Sequence, residues 1–248
     1  MFFSSFSCPP ILKSRTLFFK MRFIKDLFYL FFPNICVTCE SSLVPSEKMI
    51  CTHCRHDLPM VPYPDFKNNK IIASFSGRVP INMATSFLFY RKEGKTKRLI
   101  HSLKYKGNQK IGAFFGDWFG FQLKQSGQFN NIDYIIPVPL HPKKLKTRGY
   151  NQLTTFGIAL AKQLNTTYKP TVLIRTSSAT TQTFKQRFER FSKLKTTFHI
   201  TDTEIFSNKH ILLIDDVITT GATLEACCKE ILKSENNTIS IATIAYTE

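Results

Sequence analysis

Apolar positions change period along the chain, and each change marks an element. Between residues 22 and 32, Phe23, Leu27, Phe28, Leu30 and Phe31 are interspersed with Arg22, Lys25 and Asp26. This predicts a short amphipathic helix ended by Pro33, which cannot continue the helical ladder. Residues 59–70 are rich in Pro, Asn and Lys and read as a linker. The run MATSFLFY (83–90) predicts a strand. KTKRLIHSLKYK (95–106) sets Leu99, Ile100 and Leu103 at helical spacing with a basic opposite face. A further helix is predicted over 111–124, where Phe114, Phe115, Trp118, Phe119 and Phe121 supply the apolar surface.

Beyond residue 130 strand and helix patterns alternate. DYIIPVPL (133–140) reads as a strand. RGYNQLTTFGIALAKQLN (148–165) reads as a helix with Leu153, Phe156, Ile158, Leu160, Ala161 and Leu164 on or near its buried side. TVLIR (171–175) and HILLIDDV (210–217) read as strands, ATLEACCKEILK (222–233) as a helix and TISIATIAY (238–246) as a final strand. The apolar run of HILLIDDV is of the kind buried on both faces. This alternation predicts an α/β domain, a mainly parallel sheet flanked by helices, with ligands beyond the carboxyl ends of the strands.

Composition narrows the class. A chain of 248 residues with 43% apolar content can bury a sizeable core, as one large domain or two small ones. No apolar run reaches the ~18–20 residues that span a bilayer, so no transmembrane segment is expected. The 34 basic residues outnumber 17 acidic ones, a formal charge of +17. That surplus favours polyanions such as nucleic acid or phosphorylated ligands; a proteome that is basic throughout is the alternative. The seven cysteines are odd in number, and in a chain this long they argue against a secreted disulfide scaffold and for a reducing cytoplasm. Residues 1–20 lack the apolar core and cleavage site of a signal peptide, and Met21 offers a second start, so 1–20 are expected to be an extension or a mis-assigned start.

Two CxxC pairs, Cys36/Cys39 and Cys51/Cys54, are separated by eleven residues. Each pair aims two thiolates at one point, and two pairs close a tetrahedron around zinc. Four thiolates leave no open position, so such a zinc is structural. The alternatives are free thiols or a redox pair, but a thioredoxin-type motif needs a single CxxC beside a βαβ unit. His53 and His56 read as solvated neighbours. The expected organisation is a helix and zinc ribbon over 21–62, then the α/β domain over 71–248.

The stretch ILLIDDVITTGAT (211–223) carries the second piece of chemistry. An apolar strand delivers Asp215 and Asp216 side by side to the sheet edge, and a loop of Val217, Thr219, Thr220, Gly221, Ala222 and Thr223 follows. Loop amides at a helix start and threonine hydroxyls suit a phosphate monoester, with Gly221 allowing close backbone approach. The carboxylates would accept hydrogen bonds from vicinal sugar hydroxyls, with Mg²⁺ nearby. The loop therefore reads as a ribose 5-phosphate seat; a plain acidic turn is the alternative. It is neither a P-loop nor a GxGxxG site.

ILLIDDVITTGAT resembles the signature for 5-phosphoribosyl 1-diphosphate (PRPP) in type I phosphoribosyltransferases. FPNICVTCE with CTHC, HSLKYKG, IPVPLHPKKLKTRGYNQ and QTFKQRFER, in that order, resemble the ComF family over nearly the whole chain from Met21. The resemblance implies a type I phosphoribosyltransferase-like sheet with a small N-terminal zinc ribbon, and a part in natural transformation. It implies that Asp215 and Asp216 meet the ribose of PRPP, that 219–223 hold its 5-phosphate, and that Lys104 and Arg148 lie near its anionic groups as catalytic residues. Arg148 is also expected just before a helix start; a solvated basic face is the alternative for both. The sequence departs from the family where Ser192 replaces an expected Asn, with Lys185, Arg187 and Arg190 kept.

Two functions follow. In one, the protein binds single-stranded DNA through Lys104, Tyr105, Lys106, Lys143, Lys144 and Arg148, with tyrosines stacking on bases, in company with helicase or channel proteins of DNA uptake. Packing is the alternative role for Tyr105 and Tyr150. In the other, it is a Mg²⁺-dependent phosphoribosyltransferase acting on a small-molecule acceptor. A missing general base does not exclude transfer, which rests on electrostatic handling of the leaving diphosphate.

Overall fold

The computed structural model describes residues 27, 29, 31–62, 65–177 and 196–247. Residues 1–20, most of the predicted helix 22–32 and the segment with Lys185, Arg187, Arg190 and Ser192 lie outside them. The chain divides into two compact units, Met1–Arg55 and His56–Glu248.

In the first unit the chain folds around its cysteines. Ile35 and Ser42 form an antiparallel bridge, and the Cys36 amide donates to the Ser41 carbonyl at 2.8 Å. Helix α1 (Thr52–His56) follows Cys51. Its first amide is capped by Glu47, whose Oε1 accepts from Thr52 N at 2.6 Å and from the Thr52 hydroxyl at 2.8 Å.

The second unit is a five-stranded, wholly parallel sheet of β1 (Met83–Tyr90), β2 (Tyr134–Pro137), β3 (Thr167–Tyr168), β6 (His210–Ile218) and β7 (Thr238–Thr247), in the spatial order β1-β7-β6-β2-β3. A separate antiparallel pair joins β4 (Leu173–Ser177) to β5 (Thr196–Ile200). The helices are α2 (Lys70–Phe75), α3 (Lys95–Tyr105), α4 (Lys110–Gln125), α5 (Pro142–Arg148), α6 (Thr154–Leu164) and α7 (Ala222–Ile231). This is a type I phosphoribosyltransferase-like fold, a mainly parallel sheet with flanking helices. Ile211, Leu212, Leu213 and Ile214 of β6 are fully buried, as a strand covered on both faces requires.

The core is aromatic. Phe87 of β1 meets Phe115, Trp118 and Phe119 of α4 at centroid distances of 5.5, 5.0 and 5.2 Å. Phe119 stacks on Phe156 of α6. Close approach of α4 to α6 depends on glycines at four-residue spacing, Gly112, Gly116 and Gly120. A Cβ at Gly116 would lie 2.5 Å from the Phe156 carbonyl and 2.6 Å from Ala159 Cβ.

The connections place the site. The chain leaves β2 through α6 to β3 on one side, and leaves β6 through α7 to β7 on the other. Strand order therefore reverses between the neighbours β2 and β6, and a crevice opens beyond their carboxyl ends.

Three expectations are corrected. Residues 59–70 are not a free linker: Phe89 N donates to Pro59 O, Val61 N to Phe87 O and Ala84 N to Phe66 O, which covers the edge of β1, and α2 then begins at Lys70. TVLIR does not join the parallel sheet, because β4 pairs antiparallel with β5, a strand that the apolar pattern did not announce. The predicted helix 148–165 is two helices. Gly149, at φ 80°, stops α5 in the left-handed conformation, and α6 starts at Thr154. Arg148 therefore ends a helix instead of preceding one, and it faces the negative end of that helix dipole. The strand read over 210–217 is borne out: β6 runs through Asp215 and Asp216 to Ile218, so both carboxylates belong to it.

Candidate functional site

At the carboxyl end of β6, Thr219 and Thr220 are exposed, Gly221 is buried and α7 begins at Ala222. Gly221 sits at φ 72°, and a Cβ there would lie 2.9 Å from the Phe75 ring. The glycine is thus required by conformation and by packing against α2, and not only by access for a ligand. Ala222 N donates to Thr220 Oγ1 at 3.4 Å, while Ala222 and Thr223 face solvent. Arg78 fixes the loop from the side: its guanidinium donates to the Thr220 carbonyl at 3.2 Å, to the Ser74 carbonyl at 2.8 Å and to Glu225 Oε2. Sequence reading missed Arg78, which stands 142 positions from Thr220.

The paired carboxylates have separate environments. Asp215 Oδ1 accepts from the Asp216 amide at 2.8 Å. Burial, and then the neighbouring Asp216 charge, push the Asp215 carboxyl up to about 8, with Lys104 and Arg175 opposing the rise. Asp216 is 6% exposed, and both its oxygens are taken. Lys104 Nζ donates to Oδ1 at 2.8 Å and Gln152 Nε2 to Oδ2 at 2.6 Å. Arg148 in turn donates to Gln152 Oε1. Four side chains from α3, β6, the α5–α6 turn and the end of α5 thus form one line, Lys104–Asp216–Gln152–Arg148. Gln152 lies in the RGYNQ motif, but no local signal marks it as the partner of a carboxylate 64 residues away. Val217 is half-buried in β6.

Both ends of that line open on one cleft. A cavity of about 630 Å³ is lined by Lys104, Tyr105, Lys143, Lys144, Arg148 and Tyr150, among others. The structure thus gathers five of the six residues expected to touch DNA; Lys106 is exposed at the C-cap of α3. Tyr105 is 68% exposed, with the Arg148 guanidinium 5.3 Å from its ring centre. Tyr150 is tied down: its hydroxyl donates to the Leu103 carbonyl at 2.6 Å. Of the two tyrosines, Tyr105 is the exposed one, and its ring also meets that of His101 at 5.0 Å.

In the first unit, Cys36, Cys39, Cys51 and Cys54 bring their four Sγ atoms within 4.8 Å of one another. A tetrahedron of about 2.3 Å Zn–S bonds needs sulfurs about 3.8 Å apart, and Cys39 and Cys51 stand at 3.7 Å. Amides also point at sulfur, from Cys51 to Cys36 at 3.3 Å and from Cys54 to Cys51 at 3.4 Å. The donor set fits zinc and is consistent with a zinc ribbon. Cys227 and Cys228 are buried in α7, where burial raises both thiols, and they take no part.

A phosphoribosyl transferase domain model matches residues 154–248, which include β6, the 219–223 loop and α7. The chain is 26% identical over 153 residues to DNA utilization protein YhgH of Shigella flexneri, covering 60% of this chain and 66% of that protein. It is 32% identical over 111 residues to Competence protein F of Haemophilus influenzae, covering 44% of this chain and 48% of that one. The chain thus spans just under two thirds or less of these relatives' own lengths. A purine phosphoribosyltransferase from Pyrococcus horikoshii aligns at a TM-score of 0.36 with 21% identity, covering 54% of this chain and 74% of that one; the fold assignment rests on strand order and the domain match. Fold and loop define a phosphoribosyltransferase-type domain. With the two named relatives, they support a ComF-type protein.

Proposed function

We propose that the chain binds PRPP, or a related ribose 5-phosphate, on the loop 219–223 and single-stranded DNA along the basic cleft, and that it serves DNA uptake from the cytoplasm. One observation carries this reading: a turn of exposed threonines runs into α7 directly beside the Asp215–Asp216 pair, at the reversal point of the sheet. The phosphate rests on the loop amides and the Thr219, Thr220 and Thr223 hydroxyls. Asp215 lies beside the seat, where Mg²⁺ accompanying a diphosphate would draw its carboxyl into the charged form. The cleft supplies Lys143, Lys144 and Arg148 for phosphates and Tyr105 for a base. The names of the relatives, DNA utilization and competence, support the DNA half and make uptake helicase or channel proteins natural partners. No helix among the described residues is long and apolar enough to cross a membrane.

The experiment is calorimetric titration of PRPP with Mg²⁺ into wild type and into Thr220→Val together with Asp215→Asn. At least tenfold weaker binding by the variant is expected; equal affinity rejects the seat. Transfer to a small acceptor is the second reading. It is favoured by the raised Asp215 carboxyl, an acid poised near neutrality inside the site, and is tested by pyrophosphate release.

A further inference from the structure

Lys104 belongs to two places. Its ammonium is bound to Asp216 at 2.8 Å, and its side chain lines the basic cleft. Each Asp216 oxygen keeps a second lone pair, but the residue is only 6% exposed, so a sugar hydroxyl reaches this carboxylate by moving one of the two donors that cover it. The two donors are unequal. Gln152 is 6% exposed and is held by Arg148 at its own carbonyl, so turning away would break two bonds inside a buried setting. Lys104 makes its bond from the last turn of α3, its side chain is 23% exposed, and the water-filled cleft lies beside it. Lys104 is the donor that gives way, and its charge then has one place to go.

We propose that Lys104 is a shared cation: when a sugar hydroxyl takes Asp216, the ammonium passes to the cleft, so that filling the ribose seat strengthens the hold of the cleft on an anionic ligand. The inference rests on the ribose-phosphate reading of the loop and adds its regulation. Linkage makes the effect reciprocal, so an anion in the cleft draws Lys104 off Asp216 and readies the seat. Arg148 keeps Gln152 in place during the exchange, so Asp216 is never left without a donor. Couplings of this kind are about 5–150-fold. The cleft is open to salt, which places this one at the low end, about fivefold.

The test uses the full chain, a fluorescein-labelled oligo(dT), and ribose 5-phosphate with Mg²⁺, which fills the seat without bringing a diphosphate of its own. Saturating ribose 5-phosphate is expected to tighten oligonucleotide binding about fivefold. It should also steepen the log–log salt dependence by about 0.7, the increment of one added phosphate contact on a single strand. Lys143→Met, which removes a cleft cation outside the Asp216 line, is expected to weaken the oligonucleotide but keep the enhancement. Lys104→Met is expected to lose it. Unchanged oligonucleotide affinity and slope in wild type, with calorimetry showing ribose 5-phosphate bound, overturn the shared cation and leave the seat standing. An enhancement that survives Lys104→Met overturns it as well. Calorimetry showing no ribose 5-phosphate bound overturns the seat and this inference together. The wild-type salt slope needs no variant, so a misfolded Lys104→Met still leaves a decisive measurement.

Discussion

Replacing Lys104 by Met tests the central ion pair as a free-energy term. The substitution keeps the aliphatic stem and removes the ammonium 2.8 Å from Asp216 Oδ1. Taking one partner from a buried pair costs about 3–5 kcal/mol. Here the acid side chain is 9% exposed and the lysine 23%, so water screens part of the attraction and about 2–3 kcal/mol is expected. Trp118, the one tryptophan in the chain, lies against Phe87 in the second unit and reports unfolding there. Urea melts of wild type, Lys104→Met, Asp216→Asn and the double variant close a cycle. A coupling of about 2–3 kcal/mol at pH 7.5 is expected, with a midpoint loss of about 5–10 °C on heating. A single-variant cost below about 0.5 kcal/mol, or a cycle that shows no coupling between the two sites, would refute the account of Asp216 as a buried, lysine-held carboxylate.

Gly116→Ala should cost about 1–3 kcal/mol by driving a methyl into the Phe156 carbonyl and Ala159; an unchanged urea midpoint would show that α4 and α6 can separate freely. Asp215, whose carboxyl is pushed up to about 8, holds a proton in the folded chain that the unfolded chain releases near 4. Its contribution to stability is therefore full below about pH 4 and lost as pH rises through about 8. Asp215→Asn should gain on wild type across that window, and parallel stability curves would contradict the shift. Metal analysis should find about one Zn per chain, lost in Cys51→Ser; a wild type that folds its first unit without metal would remove the ribbon.

How much of this was legible beforehand depends on the distance over which each signal acts. The α/β class, the central apolar strand and the two CxxC knuckles are local patterns. A period of two or 3.6, or a two-residue gap between cysteines, is written in neighbouring residues, and short-range sterics enforce it. The 219–223 loop is local too, since the strand, the glycine and the helix start follow one another. Local pattern failed where one residue decides a boundary or where a partner is remote. Gly149 split a helix that the apolar period would have continued. β5 became a strand by pairing with β4, and residues 59–66 took their form from the open edge of β1.

The sequence by itself determined which residues are the candidates for the chemistry: paired aspartates, threonines behind them, four thiols, and lysines and arginines set among tyrosines. Only the tertiary structure decided how they divide the work. Strand order reverses between β2 and β6, and that reversal brings α3, the end of α5 and the following turn to the tip of β6. Asp216 is consequently not an open ligand group but the middle of a line from Lys104 to Arg148, while Asp215 stands apart with a raised carboxyl. The physical reason is burial. A carboxylate withdrawn from water must find donors wherever the fold supplies them, and those donors lie 112 and 64 residues away in the chain.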